Sequence, residues 1–328
     1  MGSWMGILAA GILNGSFAVP MKTARSWSFY HIWGIFSLFS MMLIPCAWVV
    51  AAVPGWPAIV GSIPLAGLMK LVSLGLFWGV AALLYGAAVE MLGVALGVSI
   101  LLGLSIVVGA LLPRLLSGIW FTTPGRDAVF CVGLAMMVGG VIICSRAGDS
   151  QTDARTRTQF RRGLIVAILG GVGSPLLNQG IEYGISVLHS LPTSVIGISP
   201  TLTQWVAWAL FLSAAAVTQA GYCLFKVFSD RQQGVFSATG AGADFLRVVI
   251  MSVCWSVSIF IYASALATLG PRGASVGWPV FIALIVLSSN AWGVFLGEWR
   301  GRQSSALNRM LGGSTLLMIA TFLIARAG

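Results

Sequence analysis

Ten stretches of this chain are apolar over about the twenty residues that a helix needs to cross a bilayer, and short connectors separate them. They lie near residues 3–22, 29–53, 70–92, 94–113, 127–146, 163–186, 194–222, 244–268, 274–297 and 307–326. Hydrocarbon offers no water to backbone N–H and C=O groups, so such segments must close their hydrogen bonds internally, as helices. The expected fold is an all-α integral membrane protein with ten transmembrane helices. Composition agrees: 58% of the 328 residues are apolar and only 8% are charged, against about 25% charged in soluble domains.

The one clearly hydrophilic connector, Gly148 to Arg162, contains DSQTDARTRTQFRR and falls between spans five and six. It divides the chain into a first five-helix repeat at 1–146, a cytoplasmic connector at 147–162 and a second five-helix repeat at 163–328. An odd number of spans per half puts the halves in opposite orientations. Trp78, Tyr85 and Leu92-Gly93 recur as Trp255, Tyr262 and Leu269-Gly270, each 177 positions on (255−78, 262−85, 269−92). The copies fall in spans three and eight, the corresponding elements of the two halves. Two inverted repeats of five follow, an organisation in which secondary transporters place a site near mid-membrane between the repeats.

The formal charge of +10 does not indicate nucleic-acid binding, which needs a clustered basic face on a folded domain. The basic residues sit in connectors and at span ends, where they orient helices. Connectors after odd-numbered spans hold thirteen: Lys22, Arg25, Arg146, Arg155, Arg157, Arg161, Arg162, Lys226, Arg231, Arg247, Arg300, Arg302 and Arg309. The other side holds five: Lys70, Arg114, Arg126, Arg272 and Arg326. The asymmetry predicts both termini in the periplasm and the central connector in the cytoplasm. The first residues, MGSWMG, lack the positive region of a signal peptide. Five cysteines lie in apolar runs without CxxC or Cys/His spacing, so no metal or redox site is expected.

Polar groups inside spans carry the functional signal, because charge at the bilayer centre costs about 2.5–3.5 kcal/mol on insertion scales. Ser174, Asn178 and Glu182 recur every fourth residue on one face of span six, and Ser186 continues the row. Pro175 lies beside it and interrupts the helical ladder. Glu182 is the leading proton carrier, with Glu90 and His31 as other candidates. Asp244 is accounted for by the dipole at a helix N-terminus. Asn14 and Ser16 lie in span one, Thr201, Gln204, Trp205 and Trp208 share a face of span seven, and Ser288, Ser289 and Asn290 cluster in span nine. Trp78 and Tyr85 share one face of span three, as Trp255 and Tyr262 do of span eight. Aromatic faces with amides and hydroxyls, and few fixed charges, suit a small neutral sugar. Its C–H face stacks on a ring while its hydroxyls take directional hydrogen bonds. Any single tryptophan taken alone is better explained by packing or an interfacial belt.

The stretch AVPMKTARSWSFYHIW (Ala18 to Trp33) resembles the L-rhamnose–proton symporter family of the drug/metabolite transporter superfamily. So do Phe77 to Pro113, CWSVSIFIYA (Cys254 to Ala263) and the Glu298-Trp299 pair. The likeness extends over nearly the whole chain, and its specificity comes from the order and spacing of modest motifs. Pro20, Lys22, Trp27, Trp33, Trp78, Gly79, Tyr85, Gly86, Trp255, Tyr262, Trp278 and Glu298 match. Ala82, Leu84 and Glu182 depart from the family pattern, which has asparagine at or near those places.

The resemblance implies a multi-pass carrier of the bacterial inner membrane that couples inward proton flow to uptake of L-rhamnose or a related deoxyhexose. No cofactor is implied beyond protons as coupling ion. Trp78, Tyr85, Trp255, Tyr262, Asn14, Asn178, Gln179 and Gln204 are the expected substrate contacts. A metabolite or drug exporter of the same superfamily is the alternative. An enzyme is not expected: no HExxH helix, nucleophile–base constellation or phosphate-binding glycine loop occurs in the spans, and GAGAD (Gly240 to Asp244) lacks the required spacing.

Overall fold

The computed structural model describes residues 2–117, 124–148, 154–192, 200–269, 271–300 and 304–327, which are helical almost throughout and contain no strand. In chain order the helices are α1 (Gly2–Ser16), α2 (Val19–Thr23), α3 (Phe29–Ser37), α4 (Ile44–Ala52), α5 (Trp56–Ser62), α6 (Leu65–Leu92) and α7 (Val94–Ser117). There follow α8 (Pro124–Gly148), α9 (Ala154–Gly173), α10 (Leu176–His189), α11 (Pro200–Ser229), α12 (Ala241–Leu269), α13 (Pro271–Phe295) and α14 (Ser304–Ala327). A π-helical turn, Leu38–Leu43, joins α3 to α4, and a 3₁₀ turn, Gln233–Ser237, lies between α11 and α12.

Eight helical segments among the described residues are long and apolar enough to cross a membrane. Val94–Gly109 and Val280–Phe295 are shorter apolar helices, at the positions of the fourth and ninth expected spans. The chain is thus an all-α, multi-pass membrane protein. Within the hydrophilic connector, α9 starts at Ala154 and carries Arg157, Arg161 and Arg162 in its first turns. Asp149 and Asp153 lie outside the described residues.

Proline and glycine set the interruptions. Pro175 has no N–H for the ladder, and the long sixth segment breaks there into α9 and α10. Gly93 adopts φ +90°, a backbone state that L side chains resist, and lets α6 turn directly into α7.

The described chain divides into two compact units. One gathers Met1–Val19, Leu84–Pro175 and Val257–Gly328; the other gathers Pro20–Leu83 and Leu176–Ser256. Each takes stretches from both sides of the hydrophilic connector, and α6 and α12 each contribute to both.

In the first unit, α8 lies along α14 and α1 along α13. Small residues permit the approach: a Cβ on Gly15 would stand 2.7 Å from the Ile285 carbonyl oxygen, and one on Gly140 3.0 Å from that of Gly313. In the second unit, α11 packs against α3, the π turn, α4 and α10. Its apolar centre includes Val49, Ile59, Leu188, Val206 and Ala207. Met5, Val50, Leu65, Phe77, Phe225 and Phe295 are large and exposed, a surface suited to acyl chains rather than water.

Candidate functional site

In the first unit, Asn14 lies on α1 and bonds to α12, while Tyr85 and Tyr262 each stack on a phenylalanine. The amide Nδ2 of buried Asn14 donates to Ser258 Oγ on α12 over 2.8 Å. One turn further along α12, half-buried Tyr262 stacks on Phe281 with ring centroids 4.2 Å apart. Phe17, just beyond α1, stacks on half-buried Tyr85 at 5.9 Å. Ser289 Oγ donates to the Gly15 carbonyl (3.2 Å) and Trp292 Nε1 to Ser16 Oγ (2.8 Å). A second buried group joins α7, α13 and α14: Ser99 Oγ donates to Asn290 Oδ1 and lies 3.2 Å from Ser314 Oγ. These polar side chains are thus paired across helices, which offsets the cost of burying them among apolar neighbours.

Glu90 is exposed near the C-terminal end of α6. Beyond it, the Glu298 carboxylate accepts the main-chain N–H groups of Val94 (2.7 Å) and Ala95 (3.3 Å). It thereby caps the start of α7, where the helix dipole favours an anion.

In the second unit, Trp78 and Trp255 are buried. Trp78 is tilted against Phe211 at 5.6 Å and Trp255 meets Phe36 edge-on at 6.3 Å. The four duplicated aromatics therefore divide by type, the tryptophans in one unit and the tyrosines in the other. Asn178, Glu182 and Ser186 are all exposed along one face of α10, while Gln179 and Gln204 are half-buried. Beside Glu182, the ring of Tyr183 receives the Lys70 ammonium at 4.3 Å from its centroid, within cation–π range.

His31 lies apart from this stripe. It is almost fully buried, with Nδ1 2.8 Å from Ser28 Oγ and Nε2 3.0 Å from the Gln232 carbonyl. The carbonyl can only accept, so Nε2 carries a hydrogen.

Two features were not legible as such from the sequence. Asp244 stands in the first turn of α12, where the helix dipole favours an acid. Its buried carboxylate also accepts the N–H groups of Arg25, Ser26 and Trp27 (3.2, 2.7 and 2.9 Å) and pairs with Arg247 at 2.8 Å. Gln219, wholly buried on α11, accepts from Trp33 Nε1 at 2.9 Å. Its only sequence signal is a lone amide within AAAVTQAGYCLF. Gly270, and the side chains of Thr201 and Trp278, lie outside the described residues.

The model of the L-rhamnose-proton symport protein family matches residues 2–327. An L-rhamnose-proton symporter of Pectobacterium atrosepticum is 21% identical over 322 residues, covering 94% of this chain and 92% of the relative. The L-rhamnose-proton symporter of Cronobacter sakazakii is 23% identical over 325 residues with the same coverages, 94% and 92%. One from Yersinia pestis is 23% identical over 298 residues, covering 87% and 85%. No solved structure matches the chain. These are transporters and not enzymes, in keeping with paired polar groups buried among apolar helices. With its match running through nearly every residue, the chain belongs to the L-rhamnose-proton symport protein family.

Proposed function

We propose that this protein carries L-rhamnose, or a closely related deoxyhexose, inward across the bacterial inner membrane together with a proton. The observation that carries the reading is the family match over residues 2–327, joined by relatives named L-rhamnose-proton symporters that align over most of their length. That name specifies symport, so export is not favoured.

The carrier works by alternating access, with ten spans in two inverted repeats, 1–146 and 163–328, and both termini in the periplasm. The 177-residue recurrence and the Lys/Arg asymmetry support this arrangement. Trp78, Tyr85, Trp255 and Tyr262 supply ring faces, and Asn14, Asn178, Gln179 and Gln204 supply hydrogen bonds to sugar hydroxyls. Glu182 carries the proton, ahead of Glu90 and His31: it is a carboxylate within an apolar span on an exposed polar face of α10.

The test is uptake into proteoliposomes containing the purified protein. Acid outside should drive labelled L-rhamnose above its external concentration, and a proton ionophore should abolish the accumulation. Equal accumulation with the ionophore present removes proton coupling. Accumulation of glucose but not L-rhamnose removes the substrate assignment.

A further inference from the structure

The second expected span is not a continuous α-helix. Between α3 and α4, Leu38–Leu43 winds as a π-helix, in which bonds run from residue i to i−5. The N–H of Ile44 closes this register on the carbonyl of Phe39. The next bond would run from residue 45 to the carbonyl of Ser40, but residue 45 is proline and has no N–H. Ser40 is completely buried, so its carbonyl needs a partner from elsewhere. Ser256 of α12 provides it, donating its hydroxyl over 3.2 Å.

A second neighbour grips the same turn. The Oε1 of Gln219 accepts from Trp33 Nε1 (2.9 Å) and lies 3.2 Å from Ser37 Oγ. Its Nε2 donates to Met41 Sδ at 2.9 Å. Trp33 and Ser37 precede the change of register and Met41 lies within it, so one amide spans the joint from an adjacent helix. The thioether is a weak acceptor, which makes the Met41 contact the replaceable one.

Two registers compete here. In an α-register the ring of Pro45 would clash with the carbonyl four residues earlier, on Met41. The π turn avoids that clash but leaves the Ser40 carbonyl to Ser256. Moving one residue into or out of the turn would rotate everything beyond it by about 100° around the helix axis, the angle of one residue.

We propose that the π turn is the joint at which the second membrane helix changes register during transport, and that Ser256 and Gln219 are positioning residues that hold it in the register seen here. The joint rests on the transporter reading above; the holding role does not.

The test compares Ser256→Thr, which keeps the hydroxyl, with its isostere Ser256→Val, in liposomes. Backbone hydrogen exchange is followed at residues 38–44 beside the kinetics of proton-driven L-rhamnose uptake. Ser256→Val should speed exchange there about fivefold, as losing one hydrogen bond implies. It should also lower turnover severalfold with KM nearly unchanged, and Ser256→Thr should match the wild type in both. Gln219→Leu should act in the same sense. In a Pro45→Ala background, residue 45 supplies its own N–H and Ser256→Val should no longer alter exchange.

Equal exchange in the Val and Thr variants overturns the holding role, and faster exchange with unchanged turnover overturns the joint. Wild-type protein that does not accumulate L-rhamnose sinks the transport reading, while the exchange comparison still decides whether Ser256 holds the turn.

Discussion

Glu298 accepts the main-chain N–H of Val94 at 2.7 Å, so a carboxylate beyond the end of α13 fixes the start of α7. The contact needs Gly93: a Cβ there would stand 2.7 Å from Glu298 Oε2, on a backbone already at φ +90°. The Leu-Gly pair of the repeated sequence therefore has a structural reason in its first copy. It makes the sharp turn between two long helices and leaves room for the acid that caps the second.

Gly93→Ala should destabilise the protein by about 1–2 kcal/mol from backbone strain alone, and by more once the carboxylate is displaced. Glu298→Ala, which removes the cap without strain, should cost about 0.5–2 kcal/mol. Thermal unfolding in detergent checks both. Combined, the two substitutions should cost less than their sum, because the alanine methyl then meets no carboxylate.

Asp244 holds the entry to α3 chiefly through main-chain donors. Asp244→Ala should lower stability by about 3 kcal/mol, since buried N–H groups lose their acceptor. Asp244→Asn should cost less, because one carbonyl oxygen remains. Arg247→Ala should cost least, about 1 kcal/mol or below, as its side chain is 29% exposed and partly screened. The measurement is the order of the three unfolding midpoints; an Arg247→Ala loss equal to that of Asp244→Ala would mean that the ion pair dominates.

Asn14 and Ser258 should behave as one unit. Asn14→Leu and Ser258→Ala each break this buried hydrogen bond, and the double variant removes both of its groups. A double-mutant cycle should give a coupling of about 1 kcal/mol, read from unfolding midpoints. Additive losses would show that the pair contributes nothing jointly.

Glu182→Gln should separate coupling from transport. One positive charge moving inward gains about 2.3 kcal/mol per 100 mV, enough for about 40- to 50-fold accumulation at 1.4 kcal/mol per factor of ten. The variant should still exchange labelled for unlabelled L-rhamnose across liposomes while losing nearly all uphill accumulation. Wild-type accumulation in Glu182→Gln would move the proton to another residue.

The elements read from the sequence were those whose cause is local. Apolar runs had to become helices because their backbone groups can be satisfied nowhere else in hydrocarbon. Pro175 marked the break between α9 and α10 by lacking an N–H. Pro45 was equally visible, but not the π turn before it, because the outcome depended on whether another helix could satisfy the Ser40 carbonyl. Likewise the spacing of Trp78 and Tyr85 put them on one helix face, yet their neighbours, Phe211 and Phe17, come from distant parts of the chain.

The sequence by itself determined that this is a multi-pass helical membrane protein, where its helices run and which family it resembles. Hydrophobicity, proline and charge act over a turn or a span, and a motif needs only order and spacing. Only the tertiary structure decided which buried polar groups meet. Asp244 takes N–H groups more than two hundred residues away, Gln219 reaches Trp33, and Ser256 completes a backbone bond that Pro45 cannot make. Those pairings depend on which helices lie side by side and how closely small residues let them approach, and no local pattern encodes that.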